Sequence, residues 1–118
     1  MRRDSPASGW CPQYAEDHEA FRQLAAMSAE IEAGQAMVDR AVTELVAGRL
    51  SVADAARVKF FCTEMQGRVV DRCLQLFGGY GYMMEYPIAR LYTDARVARI
   101  YAGTSEVMKV IIAKSLGL

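Results

Sequence analysis

The amino-acid sequence predicts an all-α fold, an antiparallel helical bundle. Two long segments place apolar or small residues three and four positions apart, the spacing of one helical face. Short turn-forming stretches separate these from each other and from two shorter helical segments, and connections of a few residues make successive helices antiparallel.

Residues 1–16 hold Pro6, Gly9 and Pro12 among small and polar residues without apolar periodicity. A poorly ordered leader is expected there, followed by one helical domain over 17–118. From about His18 to Ala47 the inward stripe is Leu24, Met27, Ile31, Gly34, Val38, Ala41 and Leu45, opposite a polar face of Glu30, Gln35, Asp39 and Arg40. Gly48 supplies a helix stop, and Ser51 with Asp54 three positions on reads as an N-cap with an acidic first turn. The second helix is expected over Val52–Phe77, with Ala55, Val58, Cys62, Met65, Val69 and Leu76 inward.

Gly78-Gly79-Tyr80-Gly81-Tyr82 does not suit continuation of that helix, because glycine costs backbone entropy and readily takes positive φ, so a tight loop begins there. Pro87 fits the first turn of a third helix reaching about Val97. Gly103 and Thr104 interrupt, and Ser105 to about Leu116 forms a last helix with Val107, Val110, Ile111 and Leu116 inward. The first two helices exceed the average globular length, so part of their apolar surface is expected to meet another domain or subunit.

A chain of 118 residues fits one domain. Lysine plus arginine equals aspartate plus glutamate at 14 each, so no net field draws the chain to nucleic acid or an anionic membrane. Cys11, Cys62 and Cys73 lack metal-ligand spacing and read as reduced thiols, hence a cytoplasmic location. No run approaches the roughly 20 apolar residues of a membrane span. His18 has no partner at metal or triad spacing, and Met83-Met84 are expected to fill a core or a pocket wall, so no metal site is expected. Tyr80 and Tyr82 are expected as buried loop tyrosines with bonded hydroxyls.

Three clusters carry possible chemistry. Gln75 to Gly79 ends a helix on bare backbone, which serves as a plain C-cap or lets a dinucleotide approach. Gly103-Thr104-Ser105-Glu106 opens a helix, as a routine N-cap or as a seat for a polar ligand edge. Arg90, Asp94, Arg96 and Arg99 recur at helical spacing; phosphate binding is one reading, and ion pairs from Asp94 pinning the third helix are the preferred one.

The order Gln75-Leu76-Phe77-Gly78-Gly79-Tyr80-Gly81-Tyr82, Glu85-Tyr86-Pro87 with Arg90, Asp94-Ala95-Arg96, then Arg99-Ile100-Tyr101-Ala102-Gly103-Thr104-Ser105-Glu106 resembles the C-terminal signature of acyl-CoA dehydrogenases. More weakly, the likeness reaches back through Met65-Gln66-Gly67 to about Phe21. It implies a flavin-dependent α,β-oxidation of an acyl-CoA to a trans-2-enoyl-CoA, in which a carboxylate takes the α-proton and the β-hydrogen leaves as hydride to FAD. It further implies that Gln75, Leu76, Phe77, Gly78 and Gly79 touch the FAD of a neighbouring subunit, that Thr104 and Glu106 touch FAD, and that Tyr101 and Gly103 lie beside the thioester. Homo-oligomerisation, and pairing with an N-terminal helical and a central β domain, follow from the same resemblance.

One position departs from the commonest pattern. Many members carry glutamate directly after the motif tyrosine, where this sequence has Ala102, which cannot accept a proton. Relatives of the long-chain and isovaleryl types have a small residue there and place the base on an earlier helix, preceding the part resembled. Glu106 and Glu85 are weaker in-chain alternatives, so no catalytic residue is assigned. The sequence therefore supports two functions: part of an acyl-CoA dehydrogenase, inactive alone, or a non-catalytic helical assembly module.

Overall fold

The structure, a computed structural model, describes residues 18–118; the expected leader, with Cys11, lies outside the described residues. Four helices run in order, α1 (His18–Val46), α2 (Val52–Phe77), α3 (Pro87–Val97) and α4 (Ser105–Ser115), with a 3-10 turn at Gly78–Tyr82. The described residues contain no strand, so the all-α expectation holds.

Each boundary has a local cause. After α1 the Gly48 N–H closes on the Leu45 carbonyl at 3.0 Å. Ser51 then takes extended backbone, and its hydroxyl accepts the Asp54 N–H at 3.0 Å, satisfying a donor that the first turn of α2 leaves free. The Ser51 hydroxyl bond, joined by Arg57, holds the Asp54 carboxyl below its ordinary range. Gly78 ends α2 at φ 61°, a left-handed conformation that a side chain resists. Pro87 opens α3, and Thr104 caps α4 by accepting the Val107 N–H at 3.3 Å.

α2 is the central helix. α1 packs along one side of it, while α3 and then α4 pack along the other, and α1 meets neither of them. At the α1–α2 seam Gly34 permits close approach, because a Cβ there would lie 2.6 Å from the Met65 terminal methyl. Glu30 accepts from Arg72 at 2.7 Å and from Arg68 at 3.3 Å, and the Arg72 bond leads in lowering its pKa. α4 runs antiparallel to α2: Ser105 meets Glu64 near one end and Ser115 meets Arg57 near the other.

The core of this arrangement is thin. Its buried apolar residues are Ala20, Met27, Ala56, Met65, Ile88, Ala89, Ala95, Ala98 and Met108, and no large side chain among the described residues is fully buried. The radius of gyration is 18.4 Å, against roughly 13 Å for a compact domain of this length. Four helices whose packing runs through α2 alone cover less of each apolar stripe than a closed bundle would. Accordingly Leu24, Ile31 and Leu45, expected inward, stand about half exposed or more, since α1 has a single neighbour. On α4 the inward expectation for Val107, Val110 and Leu116 is corrected: Ser105 and Met108 are buried instead, because the Ser105–Glu64 bond turns that face onto α2. Similarly Ala56, and not Ala55, is buried on α2, on its side towards α4.

No helix among the described residues is long and apolar enough to cross a membrane. Cys62 and Cys73 are free thiols, and burial pushes the Cys62 thiol pKa up.

Candidate functional site

The residues singled out in the sequence fall into two surface patches at different points along α2. At its C-terminal end Gln75, Phe77, Gly78 and Gly79 are exposed and Leu76 is half-buried. The Gly78 N–H bonds the Gln75 carbonyl, which is the C-cap. A Cβ built on Gly78 or Gly79 would meet nothing within 4 Å, so bare backbone faces open space. Gly81 behaves differently. It is buried, and a Cβ there would lie 2.6 Å from the Leu74 carbonyl oxygen. Turning Gly81 inward turns its neighbours out: Tyr80 is 62% and Tyr82 85% exposed, correcting the expectation of buried tyrosines. Met83 and Met84 are likewise exposed rather than core. Tyr86 gathers the patch, with its ring centroid 5.5 Å from Tyr80 and 6.2 Å from Phe77.

The second patch is the loop from Tyr101 to Glu106. Its backbone is unusual: Ala102 sits at φ 55° and Gly103 at φ 98°. A left-handed alanine costs about 1 kcal/mol, so the surroundings must hold the loop in place. They do so from α2. Lys59 donates to the Gly103 carbonyl, with its ammonium 6.0 Å from the Tyr101 ring centroid. Ser105 donates its hydroxyl to Glu64 at 2.6 Å, and Arg99 approaches the other oxygen of Glu64 at 3.4 Å. The Ser105 bond leads in lowering the Glu64 pKa, ahead of the charge of Arg99. The loop closes on itself through the Ser105 N–H and the Arg99 carbonyl at 3.1 Å. Tyr101 and Glu106 are left exposed, and Thr104 spends its hydroxyl on the helix cap.

Lys59 and Glu64 are the supports of this loop that sequence reasoning missed. Five positions apart they share no single helical face, and their partners lie 44 and 41 residues further on. The Asp94 expectation is corrected as well. Asp94 makes no ion pair with Arg90, Arg96 or Arg99 among the described residues. Arg90 instead donates to the Met84 carbonyl at 2.8 Å, and Arg99 turns to Glu64.

The two patches do not meet. Lys59 and Glu64 hold one and Gln75 belongs to the other; at about 1.5 Å rise per residue the helix sets those supports roughly 16–24 Å from Gln75 along its axis. Each presents exposed backbone, a few polar groups and aromatic surface, a mixture that suits a large planar cofactor with a polar chain. Neither gathers three metal-ligating side chains; no such group occurs among the described residues.

Comparison with known proteins gives a consistent picture. A family model, "Acyl-CoA dehydrogenase, C-terminal domain", matches residues 13–117. The chain is 44% identical over 94 residues to the mitochondrial long-chain specific acyl-CoA dehydrogenase of Rattus norvegicus, covering 80% of this chain and 22% of that protein. Among solved structures it is similar to an acyl-CoA dehydrogenase from Geobacillus kaustophilus, with a TM-score of 0.85 at 47% identity, covering 88% of this chain and 27% of that one. Butyryl-CoA dehydrogenase from Megasphaera elsdenii gives a TM-score of 0.84 at 31% identity, covering 100% of this chain and 29% of that one. The chain thus spans about a quarter of the length of these relatives.

Proposed function

This chain belongs to the acyl-CoA dehydrogenase family, as its C-terminal helical domain, and on that premise we propose that it supplies two separate walls of a flavin enzyme that is complete only in a larger assembly. The reaction is oxidation of an acyl-CoA thioester to a trans-2-enoyl-CoA. FAD, when bound, supplies the acceptor for hydride from the acyl β-carbon. Gln75, Leu76, Phe77, Gly78 and Gly79 meet the cofactor of a neighbouring subunit, and Thr104 and Glu106 meet the cofactor at the other patch. Tyr101 and Gly103 flank the thioester, with Lys59 and Glu64 as the positioning residues beneath them. The observation that carries this reading is the spacing: two exposed patches, held at points roughly 16–24 Å apart along one helix, suit two cofactors in a symmetric assembly.

The fit to FAD rests on residues present here. Gly78 and Gly79 leave their backbone open to space on that side, and the nearby Gln75 amide can both donate and accept. Proton abstraction belongs elsewhere. Ala102 has no base, and Glu85 and Glu106 are exposed carboxylates. A base contributed by an earlier helix, with N-terminal and central domains completing the pocket, accounts for this, and the chain alone is inactive. The half-exposed stripes of α1 and α4 are the surfaces for those domains or for a second copy. A cytoplasmic location belongs to this reading.

The thin core and Ala102 also favour a second reading, a helical module that assembles without catalysis. Flavin retention separates the two. In the assembled complex Gln75→Ala is expected to release FAD while the oligomer persists, and Gln35→Ala, on the polar face of α1, to leave retention unchanged. Equal retention by both variants would overturn the cofactor role of Gln75 and favour the second reading.

A further inference from the structure

Between α2 and α3 lies a cleft of about 230 Å³ lined by Gly67, Arg68, Val70, Asp71, Tyr92, Arg96 and Arg99. We propose that it binds a phosphate group carried by a small soluble molecule. Three arginines and one carboxylate residue, Asp71, line this space. Arg68 and Arg99 are engaged from outside the cleft, by Glu30 at 3.2 Å and by Glu64 at 3.4 Å. Each keeps further N–H donors, since a guanidinium offers five. Arg96 has no ion pair or hydrogen bond among the described residues, so its whole charge is available.

The Arg99 Nε is buried without a hydrogen-bond partner, which folded proteins rarely leave so. Gly67 sits against that same group. A Cβ at position 67 would lie 3.5 Å from the Arg99 Nε and 3.6 Å from its Cζ, so a methyl group there would stand against the guanidinium on the cleft wall. Glycine in the interior of α2 costs helix stability relative to alanine, and ordinary van der Waals distances show that alanine would fit. Glycine at 67 leaves the wall beside Arg99 free of a methyl group, and the unpaired Arg96 faces the same cleft, so a phosphate has room and a guanidinium fork to bind. A carboxylate would use the same forks but carries half the charge of a phosphate dianion.

The test is a titration of the 118-residue chain with inorganic phosphate, followed through the arginine Nε–H resonances, with acetate at matched ionic strength as the carboxylate arm in place of phosphate. Saturable shifts at Arg96 and Arg99, at least tenfold weaker with acetate, are expected. Gly67→Ala should raise the melting temperature and yet weaken phosphate binding at least tenfold, so its loss of binding cannot be put down to unfolding. Arg96→Gln should weaken binding at least tenfold as well. Further titrations with ADP and glycerol 3-phosphate distinguish the source: tighter binding of ADP assigns a nucleotide, and equal binding assigns the phosphate group alone. Absence of saturable shifts in the helical chain, equal affinity for acetate, or unchanged binding by Gly67→Ala would each overturn the proposal.

Discussion

Replacing Lys59 by methionine tests how the Tyr101–Glu106 loop is held. Methionine keeps the length and most of the apolar stem, so packing along α2 is preserved while the ammonium is lost. Two interactions disappear: the bond to the Gly103 carbonyl and the cation over the Tyr101 ring. A hydrogen bond from a charged donor contributes about 1.5–3 kcal/mol, and a cation–π contact at 6.0 Å adds about 0.5 kcal/mol at a site open to solvent. Half-burial of Lys59 favours the low end, so the expected loss is about 2 kcal/mol. For a domain of this size that lowers the melting temperature by roughly 10 °C, read by circular dichroism. Hydrogen exchange localises the effect, since the Ser105 N–H, bonded to the Arg99 carbonyl at 3.1 Å, should lose protection as the loop relaxes. A melting temperature within about 2 °C of the parent, with Ser105 protection unchanged, would refute the idea that Lys59 pins the loop.

Further outcomes follow from the same geometry. Gly81→Ala should cost about 2–3 kcal/mol in a thermal melt, because the added carbon meets a backbone oxygen that cannot swing aside, whereas Gly79→Ala should change stability by no more than about 0.5 kcal/mol. Ala102→Gly should gain about 0.5–1 kcal/mol in chemical denaturation: the relieved left-handed strain of about 1–2 kcal/mol exceeds the entropy that glycine adds. Glu64→Gln probes pH dependence. The folded carboxyl is held below its ordinary 4.5, so its stabilisation is complete above that value and is lost as pH falls through the depressed folded value. Parent and variant should therefore differ at neutral pH and converge in acid, and a gap that stays constant across that range would contradict the Glu64–Ser105 assignment.

Much of this was legible in the sequence, and the reasons differ by element. The bounds of α2 follow from Ser51 and Gly78, two residues whose chemistry acts within a turn of themselves. Pro87 and Thr104 mark their helices for the same reason. Burial was harder to read. A 3-then-4 stripe on α1 or α4 states which residues seek cover, not how many neighbours are present to give it, so Ile31 and Val107 matched the pattern and stand exposed. Pairing was harder still. Arg99 sits at helical spacing from neighbouring charges, but its partner Glu64 is 35 residues away on another helix. The motif residues Gln75 and Thr104 were found by resemblance, while the distance between their patches required the fold, because only the shared packing on α2 sets it.

The central claim, that this chain is one component of a flavin enzyme, is tested most directly by reconstitution. The purified chain is mixed with the N-terminal and central domains of an acyl-CoA dehydrogenase, and co-elution of FAD and formation of 2-enoyl-CoA are measured against each component alone. The account predicts no turnover by the chain alone, with flavin retention and product appearing only in the mixture. Turnover by the isolated chain, or no flavin retained with any such partner, would contradict it.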